Sequence, residues 1–341
     1  MSYFNKENII QALVALGKYI QEPDEKLNLA INLSTQKNSW FTKGNVSNAL
    51  HAISRMLQQE ALEQWLSRYE FSGDPKKIGL VLAGNIPMVG FHDVLSTLLS
   101  GNIALIKLSS NDDVLMTTIL DKLTELEPAL SEQIKIVHKL ENFDAVIATG
   151  SNNTSRYFEY YFSKVPHIIR KNRNSIAVLT GNETVEDFKA LARDIFDYFG
   201  LGCRNVSKLY VPEAYNFIPF LDAIEEFNTV LDHHKYKNNY DYNKSIYLIN
   251  KVEHLDNGFL LVSPNTSLIS PLSVLFYENY SSLEALRQEL ENKSEEIQVV
   301  VSDEPLNIAV SNVGFGESQQ PKLWDYADGV DTMQFLTSLG K

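Results

Sequence analysis

The stretch that decides the fold is Lys77-Ile-Gly-Leu-Val-Leu-Ala-Gly-Asn-Ile-Pro87, followed by Met88–Ser100 and then by Gly101-Asn-Ile-Ala-Leu-Ile-Lys107. Ile78–Ala83 is a short continuous apolar run, the pattern of a strand buried on both faces. Pro87 suits the first turn of a helix, Met88–Ser100 carries it, and Gly101 ends it. Ile103–Lys107 is the next strand. Working outward, the sequence predicts a helix over Val114–Leu126, strands at Ile134–His138 and Asp144–Ala148, a helix from Asn153, and strands at His167–Ile169 and Ile176–Leu179. Strands and helices alternating at this length indicate βαβ units and a mostly parallel sheet covered on both faces.

Before Lys77 the texture is helical. Ile9, Ile10, Leu13, Val14, Leu16 and Ile20 form one apolar stripe, and Leu50, Ile53, Leu57, Leu62, Trp65 and Leu66 continue the helical period, with Trp40 and Phe41 in a packed loop between them. Beyond residue 180, Thr184 can cap a helix with Asp187 three residues on, and the stripe Val185, Phe188, Leu191, Ala192, Ile195, Phe196, Phe199 runs to Gly200. Ser207–Val211, Ser245–Ile249, Leu272–Phe276 and Gln298–Val301 then read as strands of a second α/β domain. A charged helix, Ser282–Lys293, lies among them, and the polar Tyr236–Tyr242 segment reads as a mobile loop.

Composition narrows the function. The 341 residues are long enough for about two domains. A formal charge of −13 argues against nucleic acid as a partner, although local backbone donors can still hold an anionic cofactor. No apolar run reaches the ~18 residues of a membrane span, and Met1–Asn8 lacks the features of a signal peptide. With one cysteine there is no internal disulfide, so the expected location is cytoplasmic. No metal site is expected: His233 and His234 are adjacent and unaccompanied by other ligands, and His92 reads as a core histidine.

The lone cysteine, Cys203, sits in Gly200-Leu-Gly-Cys-Arg-Asn205, between a helix and a strand. A thiol on a glycine-flanked turn is either a nucleophile that another group can approach or a small buried hydrophobe, and the residue alone favours the second. Gly200/Gly202 and Gly314/Gly316 do not complete a dinucleotide fingerprint, since Asn205 and Gln319 stand at the last position. Three other turns fall where strands end and helices begin, the place where open α/β sheets bind ligands. They are Ala83–Pro87, Lys107–Asp112 and Ala148–Asn152. Taken singly, each has a structural reading as a cap, a solvated strand end or a tight turn.

Together, upstream of Cys203, they resemble the aldehyde dehydrogenase superfamily and most closely its acyl-CoA reductase branch, the LuxC-type fatty-acid reductases. Gly84-Asn85-Ile86-Pro87 is similar to the superfamily's oxyanion-asparagine turn, Gly101–Lys107 to its cofactor segment, Thr149-Gly150-Ser151 to its nicotinamide-side turn, and Gly202-Cys203-Arg204 to its nucleophile loop. Leu323–Thr332 is similar to the closing segment of the reductase branch. The resemblance runs from about Lys77 to the C-terminus. It implies an aldehyde-dehydrogenase-like α/β fold, with two Rossmann-like domains, parallel-rich sheets and a helical N-terminal segment. The implied organisation is 1–75 helical, 76–172 for the nicotinamide cofactor, 173–315 catalytic, and 316–341 a C-terminal tail.

The resemblance also implies roles. Cys203 would carry the acyl group as a thioester, and Asn85 would face the carbonyl oxygen. Lys107, Ser109, Ser110, Gly150 and Ser151 would line the cofactor site. The glutamate base of hydrolytic relatives is missing from His167–Asn174, and a second family glutamate is missing from Asn265–Ser270. Exchange of a thioester with the CoA thiol passes sulfur for sulfur and needs less proton abstraction than hydrolysis, so its absence points to acyl transfer with CoA. Ser110, where NAD-preferring relatives often carry a glutamate, points to NADPH, with NADH as the alternative and Asp112 and Asp113 weighing towards it. The implied partners are a long-chain fatty acyl-CoA, an acyl-protein synthetase and a second copy of the chain. An acyl-phosphate reductase and a non-catalytic acyl-carrying scaffold remain alternatives.

Overall fold

A computed structural model describes residues 5–71, 73–150 and 152–339. The chain divides into two compact units, one of Met1–Asn172 with Lys322–Lys341 and the other of Arg173–Pro321.

The first unit opens with four helices, α1 (Lys6–Gln21), α2 (Glu25–Lys37), α3 (Lys43–Met56) and α4 (Gln59–Leu66). Asn5, Asp24 and Thr42 cap the first three by accepting backbone N–H groups of the first turn. Their apolar stripes bury Leu13, Leu16, Leu27, Leu50 and Trp65 in one core with Ile78, Leu80, Ile106 and Ile147 of the following sheet. Each such side chain contributes about 1.5–3 kcal/mol of burial, which fixes the helices to the sheet.

The sheet comprises β1 (Lys77–Val81), β2 (Ile103–Lys107), β3 (Ile134–Ile136), β4 (Ala145–Thr149) and β5 (His167–Arg170), all parallel in the order β3-β2-β1-β4-β5. The crossovers carry α5 (Phe91–Leu99), α6 (Asp113–Leu126) and α7 (Asn152–Phe162). Helix α5 starts later than Pro87 predicts. Met88 takes a left-handed conformation (φ 59°) and gives its N–H to Asp112, so the chain turns once more before the helix forms. Gly101 then ends the crossover at φ 81°.

The second unit holds β6 (Asn174–Val178), α8 (Val185–Phe196), β7 (Val206–Pro212), α9 (Ile218–Ala223), α10 (His234–Asn250), β8 (Leu255–Asp256), β9 (Leu261–Pro264), β10 (Val274–Tyr280), α11 (Leu283–Asn292), β11 (Ile297–Val301) and β12 (Asn312–Val313). Its sheet order is β12-β11-β6-β7-β10-β9-β8, parallel except for the β8–β9 pair. Thr184 and Asp187 form the expected capping box on α8.

Two expectations fail here. Ser245–Ile249 is the last turn and a half of α10 and not a strand, and Tyr236–Tyr242 lies inside the same helix and not in a loop. The helix is held by Tyr236 and Tyr240, four residues apart, whose hydroxyls donate to the Phe259 carbonyl and to Asp256. A helix with so narrow a buried face leaves little apolar periodicity to read.

The chain then returns to the first unit, ending in α12 (Thr332–Ser338). Arg170, buried at the end of β5, ties this return down. It donates to Asp93 of α5 at 2.5 Å, to Thr332 Oγ1 at 3.0 Å and to the Ala327 carbonyl at 2.9 Å. Tyr326 accepts from Trp65 Nε1 at 2.6 Å, and the Nε2–H of half-buried His92 donates to the Leu323 carbonyl at 2.9 Å. Removing one member of a buried ion pair strands the other charge. Asp93→Ala should therefore cost ~3–5 kcal/mol in urea unfolding. A loss below about 1 kcal/mol, the value typical of an exposed pair, would contradict this account of the anchor.

Candidate active site

In the first unit, parallel register puts Val81, Lys107 and Ala148 side by side at the carboxyl edge of the sheet. The strand order reverses between β1 and β4, so the turns after β1, β2 and β4 surround a topological switch point. The β1 and β2 turns are in tight contact. A Cβ on Gly84 would stand 2.5 Å from Ser109 Oγ and 2.7 Å from Ser109 Cβ, so only glycine fits there.

Asn85 and Lys107 are exposed at this edge, and Lys107 makes no ion pair among the described residues. Ser109 is half-buried and accepts from the Asn111 N–H at 3.3 Å, while Ser110 is exposed. The Gly150 N–H donates to the Arg170 carbonyl at 3.4 Å. Ser151 lies outside the described residues.

Sequence reading gave Asp112 no structural role. It stands at the N-cap of α6 yet caps nothing there. Its carboxylate turns inward and accepts the Met88 N–H at 2.6 Å, joining the β2 turn to the β1 turn that bears Asn85. Only 3% of the residue is exposed, Oδ1 has no partner among the described residues, and burial pushes the carboxyl up to about 7. Asp113 points elsewhere and pairs with Lys37 at 2.6 Å.

In the second unit, α8 ends at Phe196 and the chain enters a left-handed run: Tyr198 (φ 53°), Phe199 (φ 58°) and Gly200 (φ 77°). For the two aromatic residues this costs roughly 1–2 kcal/mol each. Their rings are held, Tyr198 by burial and Phe199 against His233 with centroids 4.3 Å apart. The run reverses the chain into the turn Gly202–Asn205, closed by the Asn205 N–H on the Gly202 carbonyl at 3.0 Å. Cys203 is exposed at the tip of that turn. Its carbonyl accepts from buried Ser175 of β6 at 2.9 Å, and Arg204 Nε donates to the Ser318 carbonyl.

Asn205, 4% exposed, braces the turn. Its Oδ1 accepts from the Gly202 N–H at 2.9 Å, and its Nδ2 donates to the carbonyls of Asp194 at 3.0 Å and Asp197 at 2.8 Å. The end of α8 also carries two carboxyls. Asp194 accepts the N–H groups of Gly316 and Ser318 and is held above its ordinary range by burial. Burial, with the neighbouring Asp194 charge, pushes Asp197 up to about 6. Among the described residues no cluster of His, Cys, Asp or Glu could hold a metal. His233 instead caps α10. No helix among them is long and apolar enough to cross a membrane.

The candidate residues thus divide between the units: Asn85, Lys107, Ser109, Ser110 and Gly150 belong to the first, and Cys203 to the second. The fold is that of the aldehyde dehydrogenases. Aldehyde dehydrogenase 21 from Physcomitrella patens, in complex with the reaction product succinate, matches at a TM-score of 0.68 and 13% identity, over 100% of this chain and 85% of that one. The indole-3-acetaldehyde dehydrogenase AldA of P. syringae, in complex with NAD+ and IAA, matches at 0.65 and 12%, over 87% and 72%. A Mycobacterium tuberculosis aldehyde dehydrogenase complexed with NAD+ matches at 0.65 and 12%, over 91% and 77%. No curated protein matches the chain. The model of the acyl-CoA reductase (LuxC) family matches residues 9–232, and the chain belongs to that family, a family of oxidoreductases.

Asp112 gives this site a pH signature. Its carboxyl is raised from 3.8 to about 7 on folding, so the folded state holds that proton more tightly than the unfolded chain. The stability it contributes is fully present below about pH 4 and is lost as the pH rises through about 7. Asp112→Asn keeps an acceptor for Met88 and removes the titration. In unfolding at matched pH values, the variant should gain on the wild type by up to ~4 kcal/mol between pH 4 and pH 8. A pH-independent difference would contradict the buried carboxyl.

Proposed function

We propose that the protein reduces a long-chain fatty acyl-CoA to the fatty aldehyde with NADPH, through an acyl thioester on Cys203. The observation that carries this reading is the exposed thiol on a braced turn in a chain of the acyl-CoA reductase family. A free thiol, with a pKa of about 8.5, is only a few per cent thiolate at pH 7, yet thiolate sulfur is intrinsically a strong nucleophile. The Cys203 thiolate attacks the acyl carbonyl, the carbon–sulfur bond to CoA breaks, and CoA leaves as its thiolate, which takes a proton from water. The acyl group stays on Sγ. Sulfur replaces sulfur, so less proton abstraction is needed than in hydrolysis.

The residues of the first unit suit a dinucleotide. They offer a sheet reversal, a cation at its carboxyl edge in Lys107, and a β1–β2 contact with no room for a Cβ at Gly84. The NAD+ held by similar structures supports a nicotinamide cofactor. When bound, a reduced nicotinamide supplies the hydride that takes the thioester carbonyl to the aldehyde level. Carbon–sulfur cleavage then releases the aldehyde and restores the thiol.

Negative charge develops on the carbonyl oxygen in both halves. The Asn85 amide and the Cys203 backbone N–H are assigned as its donors. Lys107, Ser109, Ser110, Gly150 and Ser151 are assigned to the cofactor. The preference for NADPH draws support from Ser110, exposed and uncharged, and from the two nearby carboxylates, since Asp112 faces Met88 and Asp113 faces Lys37. A cytoplasmic setting, where the lone cysteine stays reduced, completes the reading with a homo-oligomer and an acyl-protein synthetase as partners.

NADPH oxidation driven by palmitoyl- or myristoyl-CoA tests the reading. Wild-type protein should turn over and Cys203→Ala should not. Asn85→Ala should lower kcat by ~10²–10³, the usual cost of one oxyanion donor, with a much smaller change in KM. Activity confined to small acyl phosphates would overturn the substrate assignment. Acylation of Cys203 without NADPH turnover would point to the scaffold.

A further inference from the structure

Cys203 is reached from the C-terminal end of a helix. Helix α8 ends seven residues before it, and the last carbonyls of a helix carry partial negative charge and lack partners within the helix. Asp194 and Asp197 add two carboxyls at the same end. Negative potential of this kind raises a thiol and slows its attack. The left-handed run from Tyr198 to Gly200 is also costly, and such strain persists only where neighbouring groups hold it.

One side chain answers both problems. The Asn205 amide spans the strained run. Its Nδ2 is bonded to carbonyls before the run, those of Asp194 and Asp197, and its Oδ1 to the N–H of Gly202 after it. Both polar ends of a residue only 4% exposed are therefore committed to joining the helix end to the cysteine turn. We propose that Asn205 is the positioning residue for Cys203, holding the turn in its attacking shape and covering the electronegative end of α8. The word attacking rests on the function proposed above. The effect on the thiol does not.

Other charged groups among the described residues lie near the turn in the chain or through its contacts. Arg193 and Asp194 come from α8, and Asp197 from the stretch after it. Arg204 lies in the turn, bonded to Ser318, while Glu317 binds the Gly314 N–H and His233 lies against Phe199. All of these are retained when Asn205 alone is changed. A shift in the thiol can then be assigned to the amide.

Cys203 is the only cysteine, so alkylation by iodoacetamide reads this residue without ambiguity. The experiment measures the alkylation rate against pH on the full chain, with the melting temperature recorded in parallel. Asn205→Ala should slow alkylation at pH 7 about tenfold and move its midpoint upward by about one pH unit. Asn205→Asp, which faces the same carbonyls with an acceptor, should do at least as much. Asn205→Ser keeps an acceptor for Gly202 without the amide donor. It should fall between Ala and wild type and supplies the answer should the Ala variant fail to fold. A lowered melting temperature with an unmoved pH midpoint would show a purely structural asparagine and overturn the proposal. Normal alkylation of wild type with no acylation by acyl-CoA would instead sink the function and leave the Asn205 result standing.

Discussion

Parallel pairing of β1 with both β2 and β4 is the constraint on which the first unit depends. Because the three strands run the same way and in register, Val81, Lys107 and Ala148 finish together, and the turns that follow them share one edge. An antiparallel neighbour would send one of these turns to the far end of the sheet. The same constraint brings the Asp112 carboxyl within reach of the Met88 N–H across 24 residues of chain. The shape of the turn carrying Asn85 is thus set from the next strand as well as from its own sequence.

The second unit solves a different problem. A nucleophile must be exposed to meet its substrate, yet held still to attack it. Exposure comes from placing Cys203 at the tip of a turn. Rigidity comes from what lies below: Ser175 on the Cys203 carbonyl, Asn205 on the helix end, and Asp194 on the Gly316–Ser318 loop, whose Ser318 carbonyl takes Arg204. Burial of the two carboxyls at the end of α8 raises both above their ordinary range.

Much of this was legible in the residues. Short apolar runs such as Ile78–Ala83 and Ile103–Lys107, bounded by glycine and proline, read as strands, and their alternation with helices indicates the parallel sheet. The family match over residues 9–232 agrees with the family resemblance that the turns at Gly84, Lys107, Gly150 and Cys203 suggested. What escaped depends on contacts made far along the chain. Pro87 would open a helix if Met88 were not drawn into a left-handed turn by Asp112. The α10 segment reads as loop and strand because its buried face is narrow, carried by Tyr236 and Tyr240, whose hydroxyls are also bonded, amid polar residues. Asn205 carries no signal at all in sequence, since its three partners become neighbours only when the run Tyr198–Gly200 folds back.

The central claim is that the thiol at the tip of this turn accepts an acyl group from CoA. Intact-mass measurement after mixing the protein with palmitoyl-CoA and no reductant tests it most directly. The account predicts an adduct of one palmitoyl group on wild-type protein, lost on later addition of NADPH and absent from Cys203→Ser under the same wash. An unmodified wild-type mass, or an adduct that persists in the Cys203→Ser variant, would contradict it.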